Sequence, residues 1–437
     1  MLSAIQSTQQ ASPRRYAGVS LTIDEISYES HVMGNAVGPV RGSPLRVVVG
    51  GGGTAGHIYP ALAVADVLRR EDSALWPNAK PLAEETISTR ATRGNAALFL
   101  HGSSRIDTEV FAHAGVAHQS LSMSQLRGVS APRLAMGGVR LIRAITQASR
   151  AMGVFHPDAC LVTGGYVSAP VVIAARLRRI PVVVFLPDVV PGMAIKTIAP
   201  LASRIAVSFP NTRDHWKHSR LVVTGYPVRP EFHNASRQRG RDAFKISSDR
   251  NVVMVMGGSS GARSINFAIA DMLEPLLHHA DVIHLCGEPD EPRLRSIRSG
   301  LGEQLRTRYH LFRYLHRGIA DALAASDLVV CRAGASTLAE LPMIGVPSIL
   351  VPGSFAGGHQ AHNASVLTER GAAITISDEA LIGASPSDPS ALWPTIQGLL
   401  QDPSRLQSMR DASQLLARPE AADNIVSLLR SVAGQSG

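Results

Sequence analysis

The stretch VVVGGGGTAGHIYPALAVADVLRR, at Val47–Arg70, decides the fold. It begins with an apolar run typical of a buried strand, passes through four consecutive glycines, and continues as a helix that should end near Glu71. A strand, a glycine turn and a helix in this order are typical of a parallel α/β sheet. The turn lets the backbone approach a ligand closely, and the first N–H groups of the helix attract an anion. We therefore expect a phosphate or pyrophosphate here, the alternative being a tight turn without a ligand.

Apolar runs of the same kind recur along the chain, with helical segments between most of them. They occupy 45–51, 96–102, 158–165, 181–187, 204–209 and 221–228. They resume with the strand that opens NVVMVMGGSSGARSINFAIADML (251–273) and then occupy 280–287, 310–316, 327–334, 347–353 and 372–378. Continuous Val and Ile runs without polar alternation predict strands that are buried on both faces, and therefore parallel sheets. The pattern restarts at Asn251 with a second glycine turn. It predicts an α/β fold of two doubly wound, Rossmann-like domains that face each other across a cleft.

The length of the chain and its changes in composition predict the domain limits. A chain of 437 residues is too long for one ordinary core. Residues 1–44 are polar and rich in Gly and Ser, which predicts a flexible extension before a first domain at 45–228. The polar, charged segment 229–250 is a predicted linker, and 251–404 is the predicted second domain. Segment 74–95 is mostly polar with two prolines, and it predicts a long surface loop.

Charge and cysteine content limit the class of protein. The formal net charge of +9 favours nucleic acid, an anionic membrane or a phosphorylated substrate as partner. No basic groove with interleaved aromatic residues stands out, which disfavours nucleic acid. No apolar run is long enough to span a bilayer, and the first residues lack the apolar core of a signal peptide. Cys160, Cys286 and Cys331 lie far apart in the sequence, and their spacing suggests neither a metal site nor a disulfide framework. We expect a cytoplasmic protein that can touch a membrane.

The first glycine turn fits the dinucleotide pattern G-x-G-x-x-G, but the rest of that fingerprint is missing. An acidic residue should end the second strand and bind the ribose. Ser103, Ser104 and Arg105 stand there instead, and no G-K-[ST] of a Walker loop follows the glycines. The turn carries His57 directly after Gly56, which the fingerprint does not require. These observations disfavour NAD(P). Two anion-binding turns that face each other suit two substrates that both carry pyrophosphate.

Six motifs then occur in order along the chain. They are GGTAGHIYPALAVA (52–65), GGYVSAP (164–170), TGYPVR (224–229), GGSSGAR (257–263), CRAGASTLAE (331–340) and HQAHNA (359–364). Together they resemble the MurG family, whose members transfer N-acetylglucosamine from UDP-N-acetylglucosamine to the undecaprenyl-pyrophosphoryl-muramoyl-pentapeptide lipid of peptidoglycan synthesis. The resemblance implies a GT-B fold and an inverting transfer without a metal or other cofactor. It also implies peripheral docking on the cytoplasmic face of the cell membrane.

The resemblance also assigns the two domains and the acceptor side of the site. Domain 45–228 would bind the lipid acceptor and be completed by a C-terminal helix at about 405–437. His57 is the implied general base, because the acceptor hydroxyl must lose its proton as it attacks the anomeric carbon. The alternative for His57 is a histidine that only packs against its loop. The implied contacts to the acceptor pyrophosphate come from Gly53, Thr54, Ala55 and Gly56.

The implied UDP-sugar site lies in domain 251–404 and includes Arg229 at the start of the predicted linker. Its residues are Arg229, Ser259, Gly261, Leu315, Glu340, His359, Gln360 and Asn363. Arg229 and Ser259, with Gly261, would bind the pyrophosphate, and Leu315 would hold uracil through its backbone. Glu340 would read the ribose hydroxyls, although Thr337 and Glu340 also fit a helix capping box. His359, Gln360 and Asn363 would read the sugar, and the family commonly has a Gln-Gln pair where this chain has His359 and Gln360. The alternatives are a surface salt bridge for Arg229 and a polar helix start for 359–364.

One stretch departs from the family pattern. After PVVV at 181–184 the family commonly carries His-Glu-Gln-Asn, whereas this chain reads FLPDVVPG at 185–192. Asp188 stands where the Asn would be, so it is a second catalytic candidate that could share the work of the base or contact the sugar. The alternative is an ordinary Asp turn. The departure bears on the acceptor more than on the sugar donor.

Two further questions remain open from the residues. Val110–Pro157 contains no Asp or Glu but several Arg among apolar residues, which fits either a helix resting on anionic lipid or a solvated helix over a core stripe. The favoured function is the glycosyltransferase. The alternatives are a related UDP-sugar enzyme, such as a 2-epimerase or a transferase with another lipid acceptor, and a UDP-sugar-binding protein without activity.

Overall fold

The computed structural model describes residues 44–52, 55–71, 94–103, 105–123, 131–258, 261–315, 317–353, 358–381 and 392–435. The predicted extension at 1–44, apart from Pro44, and the predicted loop at 74–95, apart from its last two residues, lie outside these ranges. The predicted site residues Gly53, Thr54 and Ser259 also lie outside them, as does the side chain of Ala55.

The described strands form two parallel sheets. The first contains β1 (Arg46–Gly50), β2 (Ala96–His101), β3 (Ala117–Ser120), β4 (Ala159–Val162), β5 (Val182–Leu186), β6 (Arg204–Val207) and β7 (Leu221–Val223). The second contains β8 (Asn251–Met256), β9 (Ala280–Leu285), β10 (Tyr309–Phe312), β11 (Leu328–Cys331), β12 (Ser348–Leu350) and β13 (Ala373–Thr375). The strand orders are β3-β2-β1-β4-β5-β6-β7 and β10-β9-β8-β11-β12-β13. In each sheet the chain leaves the first strand toward one edge and then crosses back to build the other half. The predicted fold class, two doubly wound Rossmann-like domains, is confirmed.

Helices cover both sheets. The first half of the chain contains α1 (Ala55–Glu71), α2 (Arg105–His113), α3 (Ala131–Phe155), α4 (Ser168–Leu177), α5 (Met193–Ile198), α6 (Thr212–His215) and α7 (Arg237–Phe244). The second half has α8 (Arg263–Asp271), α9 (Leu273–His279), α10 (Glu291–Gly300), α11 (Glu303–Arg308), α12 (Ile319–Ala325), α13 (Thr337–Ile344), α14 (His359–Thr368), α15 (Leu392–Leu400), α16 (Pro403–Gln414) and α17 (Ala421–Gly434). Among the helices that the structure describes, none is long and apolar enough to cross a bilayer.

The continuous apolar strands are buried on both faces, as their composition predicts. On one face of the first sheet, α3, α4 and α5 pack over a core that includes Val48, Cys160 and Val184. On the other face, α1 and α17 share a core that continues through the connecting segment into the second domain, where it meets α12, α13 and α14. The last helix therefore packs on the first domain, and Arg430 forms an ion pair with Glu71 across 2.6 Å.

The segment between the sheets is partly helical. β7 ends at Val223 and β8 begins at Asn251, and 230–234 forms a 3₁₀ turn before α7. Ser236 caps α7 by accepting from the backbone N–H of Arg239, whose guanidinium pairs with Asp321 of α12. An added Cβ at Gly240 would lie 2.1 Å from the carbonyl oxygen of Asp321, so the two helices touch backbone to backbone. Much of the predicted linker 229–250 is thus packed on the second domain, because its charged residues find partners there.

Candidate functional site

The first glycine turn interlocks with the glycines of the GGY motif. An added Cβ at Gly51 would lie 2.3 Å from the hydroxyl oxygen of Thr163, and one at Gly165 would lie 2.5 Å from the carbonyl oxygen of Gly52. Gly164 and Gly165 have φ angles of +115° and +81°, which other residues rarely adopt. The glycines therefore let two loops meet at the carboxyl ends of β1 and β4, the point where the strand order reverses.

His57 lies where these loops meet. It is half-buried on the first turn of α1, and its ring lies so close to Gly164 that an added Cβ there would be 2.7 Å from Nε2. The hydroxyl of Thr163 donates to the carbonyl oxygen of His57 across 2.7 Å. Burial lowers the pKa of His57, while a hydrogen bond to the backbone of Gly52 and the charge of Asp188 oppose this shift. The imidazole is therefore neutral at neutral pH, the form in which it can accept a proton.

Asp188 and Asn363 join the two domains, and the charge of Asp188 reaches His57. The Asn363 side chain donates from Nδ2 to Oδ1 of Asp188 across 2.8 Å and to the carbonyl oxygen of Ala333 across 3.1 Å. Its Oδ1 accepts from the backbone N–H of Val189 across 3.0 Å. Asn363 is fully buried, and both amide hydrogens are engaged within the protein. A contact between Asn363 and a sugar hydroxyl would thus depend on the remaining lone pair of Oδ1 or on a rearrangement of these three hydrogen bonds.

Arg229 and Glu340 face each other in a second cluster. Nη1 of Arg229 lies 2.9 Å from Oε1 of Glu231, and its Nη2 lies 3.7 Å from Oε1 of Glu340. The guanidinium also stacks on the ring of Tyr59 from α1, 4.6 Å from the centroid. Its side chain is only 17% exposed, so this is an enclosed ion pair rather than a surface one. Burial raises the pKa of Glu340, and Arg229 opposes that rise.

The capping box considered for Glu340 is not formed in the described part of the helix. Ser336 occupies the cap position of α13 without a side-chain capping hydrogen bond. Glu340 instead belongs to the charge cluster with Arg229. Glu340 is thus a buried carboxylate at the cleft. Its two oxygens can accept hydrogen bonds from two adjacent hydroxyls.

The second glycine turn is equally constrained. Gly258 and Gly261 pair across the turn, and Gly261 has a φ of +79°. An added Cβ at Gly261 would lie 2.2 Å from the carbonyl oxygen of Cys286, the residue that follows β9. The turn leads into α8, a helix of nine residues whose first N–H groups have no partner within the helix. Arg263, the first residue of α8, pairs with Asp290.

The remaining predicted residues lie around α14 and β10. Oε1 of Gln360 accepts from the backbone N–H of Gly353 across 2.8 Å, which leaves its amide hydrogens for other partners. Nδ1 of His359 is buried and has no hydrogen-bond partner among the described residues. Leu315 is buried just beyond β10. Like Glu340, which follows β11, these residues come after the carboxyl ends of strands of the second sheet, β10 and β12.

Three tyrosines at the site were not predicted. The hydroxyl of Tyr226 donates to the carbonyl oxygen of Gly56 across 3.2 Å, and its ring lies edge-on to Phe185. Burial and, after it, the nearby Tyr59 of the first domain raise the pKa of Tyr314 in the second domain. Tyr59 and Tyr226 lie within the motifs GGTAGHIYPALAVA and TGYPVR, but a sequence pattern does not tell which way a side chain points.

The comparisons with known proteins agree with this arrangement. Residues 90–207 match the model of the glycosyltransferase family 28 N-terminal domain, and residues 252–425 match that of the glycosyltransferase family 28 C-terminal domain. A protein of Roseiflexus sp. (strain RS-1) is 37% identical over 423 residues, which cover 89% of this chain and 95% of the relative. One of Desulforudis audaxviator is 36% identical and covers 90% and 99%. Both are named UDP-N-acetylglucosamine--N-acetylmuramyl-(pentapeptide) pyrophosphoryl-undecaprenol N-acetylglucosamine transferase.

Solved structures share the fold. The crystal structure of MurG from Acinetobacter baumannii has a TM-score of 0.65 at 24% identity and covers 89% of this chain and 100% of that one. A putative UDP-N-acetylglucosamine 2-epimerase from Listeria monocytogenes has a TM-score of 0.60 at 14% identity, covering 90% and 98%. At these identities the likeness concerns the fold alone. The family follows from the two matched domains and from the relatives above 30% identity: the chain is a glycosyltransferase of family 28 and belongs to the MurG family.

Proposed function

We propose that this chain transfers N-acetylglucosamine from UDP-N-acetylglucosamine to the lipid-linked muramoyl-pentapeptide, with His57 as the general base. The relatives named above carry this reaction in their names. The observation that carries the assignment of the base is the neutral, half-buried imidazole of His57, held between two glycine loops next to the Asp188 carboxylate.

The chemical step is a single displacement with inversion at the anomeric carbon. The acceptor hydroxyl oxygen forms a bond to that carbon while the bond from the carbon to the UDP phosphate oxygen breaks. The hydroxyl proton moves to His57, and UDP leaves with the electron pair. A positioned base of this kind contributes about 10²–10⁴-fold to the rate. Asp188 stabilises the imidazolium that forms, because its carboxylate raises the pKa of His57. Gly53, Thr54, Ala55 and Gly56 would contact the acceptor pyrophosphate at the start of α1.

We assign the sugar donor to the second domain. Glu340 accepts from the ribose hydroxyls, while Arg229 turns its guanidinium to the UDP pyrophosphate and so stabilises the leaving group. Ser259, Gly261 and the N–H groups of the second glycine turn complete the pyrophosphate contacts, and Leu315 holds uracil through its backbone. Gln360 has amide hydrogens to offer to sugar hydroxyls, and His359 and Asn363 lie on the same helix. No metal or other cofactor is part of this proposal.

We further propose that the helical layer of α3, α4 and α5 rests on an anionic membrane from the cytoplasmic side. Large apolar side chains are exposed on it: Val139 is 68% exposed, Ile142 67%, Leu177 72% and Met193 84%. The three helices contain no acidic residue, and exposed cations lie among the apolar side chains at Arg140, Arg143, Arg150, Arg176, Arg178, Arg179 and Lys196. Each cation near such a surface contributes about 1 kcal/mol. A lipid-linked acceptor would then reach His57 without leaving the membrane.

The decisive experiment measures UDP release from UDP-N-acetylglucosamine with and without a short-chain analogue of the lipid-linked muramoyl-pentapeptide. We expect release that depends on the acceptor and that falls about a hundredfold or more in His57→Ala. His278→Ala, which changes an exposed histidine at the end of α9, serves as the matched control and should leave the rate unchanged. Release without acceptor would favour an epimerase, and binding of UDP without release would favour a binding protein.

A further inference from the structure

Helix α1 contains a proline at its sixth position. Pro60 has no backbone N–H, so it cannot donate to the carbonyl oxygen four residues earlier. That carbonyl belongs to Gly56, the residue directly before His57. The first turn of the helix therefore lacks one of its own hydrogen bonds at the peptide that leads into the proposed base.

The hydroxyl of Tyr226 occupies the place of the missing donor. It donates to the Gly56 carbonyl oxygen across 3.2 Å, although Tyr226 lies 170 positions later in the chain. Tyr226 is only 3% exposed, and its ring is held edge-on against Phe185 at the end of β5. The next carbonyl, that of His57, is held in the same way by the hydroxyl of Thr163. Two successive peptide carbonyls at the start of α1 are thus fixed by side chains from other elements.

The same tyrosine reaches the second domain. Ser336, at the start of α13, lies close enough to the Tyr226 hydroxyl to lower its pKa. Helix α13 carries Glu340, and the carboxylates of Glu340 and Asp188 raise the pKa of Tyr226 together with burial, whose effect is the largest. The phenol therefore stays protonated and keeps its proton for Gly56. The Tyr226 hydroxyl, bonded to the peptide before His57, thus lies within range of the charge of Glu340 on α13.

We propose that Tyr226 is a positioning residue for the transfer reaction: its hydroxyl replaces the backbone donor that Pro60 lacks and so holds the peptide between Gly56 and His57 in place. The inference rests on the proposed role of His57 as the base. A displacement of about 1 Å at a catalytic group can cost up to about 10²-fold in rate, so a peptide without its hydrogen bond should slow the transfer without a large effect on binding of the sugar donor.

A double-variant cycle tests this directly. Tyr226→Phe removes the hydroxyl alone, and we expect kcat to fall about tenfold with the KM for UDP-N-acetylglucosamine within about twofold of the parent. Pro60→Ala restores a backbone N–H that can donate to Gly56. In the P60A background, the Y226F change should therefore cost less than about twofold. Tyr309→Phe is the matched control, because it also removes a buried hydroxyl, one that bonds His284 in the second domain. It should leave kcat unchanged.

A second readout does not depend on activity. The ring signals of His57 in a chain labelled at histidine, assigned with His57→Ala, should shift in Y226F and return toward their parent positions in P60A/Y226F. If the parent shows no transfer but these signals respond in this way, the proposed function fails and the positioning role stands. The positioning role is overturned if Y226F matches the parent in kcat and in the His57 signals, or if P60A does not reduce the effect. If Y226F is too unstable to assay, the double variant P60A/Y226F decides. A stable, active double variant supports the positioning role, and one that is as unstable as Y226F overturns it.

Discussion

Asn363 donates to the carboxylate of Asp188 across 2.8 Å, and the two residues belong to different domains. The first lies on α14, and the second follows β5. Because Asn363 also binds the carbonyl of Ala333 and the N–H of Val189, a single side chain fixes the loop beside His57 to the sugar-donor domain.

The hydrogen bonds of Asn363 predict what the loss of its side chain does. Asn363→Ala leaves the N–H of Val189 and the carbonyl of Ala333 buried without their partner, and each such group costs about 1–3 kcal/mol. We expect a lower midpoint of thermal unfolding and a lower kcat/KM. Ser365→Ala, on the same helix, removes only a hydrogen bond to the carbonyl of His362 and should change neither. Equal losses of thermal stability and kcat/KM in both variants would mean that α14 is sensitive to any substitution and that the hydrogen bonds of Asn363 have no specific role.

The pH dependence of the reaction follows from the pKa of His57. Since burial lowers that pKa below its ordinary value of about 6.5, kcat/KM should rise with pH on the acid side and be level at neutral pH. Asp188 raises the pKa of His57, so Asp188→Asn should move the rising limb to still lower pH and also reduce the level rate. A pH–rate profile of the two chains measures both effects. A limb that moves to higher pH in the variant would contradict the arrangement.

The charge cluster at Arg229 predicts a difference between its two carboxylates. If Glu340 accepts from the ribose, Glu340→Gln should weaken UDP binding about tenfold or more, since hydrogen bonds to charged groups contribute about 1.5–3 kcal/mol. Glu231→Gln is the matched variant. It removes the nearer partner of Arg229 but has no assigned contact with the ligand, so UDP should bind at least as well as to the parent. Calorimetric titration with UDP measures the affinity of each variant. Similar losses of affinity in both variants would refute the assignment of Glu340.

Gly164 separates backbone strain from a steric effect on the base. Alanine at Gly164 would be strained by a φ of +115° and would also press on the ring of His57, 2.7 Å away. Alanine at Gly371 would be strained by a φ of +73° but would meet nothing within 4 Å. Both variants should lose about 1 kcal/mol or more of stability. Only Gly164→Ala should lower kcat, by more than about tenfold. Unfolding curves and rates for the pair give both quantities.

The proposed membrane face predicts a selective loss of vesicle binding. Ile142→Glu and Leu177→Glu each place a negative charge among exposed apolar and basic side chains of α3 and α4. Each should weaken sedimentation with vesicles containing phosphatidylglycerol, and the binding of the parent should fall as salt rises. Leu415→Glu is the control, because Leu415 is 81% exposed beyond α16 and outside that layer. Unchanged binding in the first two variants would remove this face from the proposal.

Much of the fold could be predicted because its strands are apolar on both faces. Every run predicted as a strand overlaps one, with β10 beginning one residue before its run, and α1 ends at Glu71 as expected. β3 was missed, since its sequence AHQS has no apolar run; it is a short edge strand, with only β2 paired to it in the described sheet. The helix α7 was also missed, because its stability depends on partners in α12 that lie about 80 residues away.

The contacts of the candidate site were harder to predict than its members. The motifs contain His57, Arg229, Glu340 and Asn363. Nothing in their spacing shows that the Asn363 amide donates a hydrogen bond to Asp188. Likewise, Pro60 looks like a helix defect in the sequence. Its consequence becomes visible only when Tyr226, from a distant motif, is found at the carbonyl that the proline cannot serve.

The packing of α17 on α1 has a consequence for the order of folding during synthesis. Ile425, Val426 and Leu429 are buried in the same core as Val64 and Leu68, and Arg430 pairs with Glu71. The ribosome delivers Glu71 and Arg430, which lie 359 residues apart, so the domain that emerges first waits for the last helix to close its apolar face. Until then, that face is open to aggregation or to a chaperone. The first domain to be made is the last to be finished.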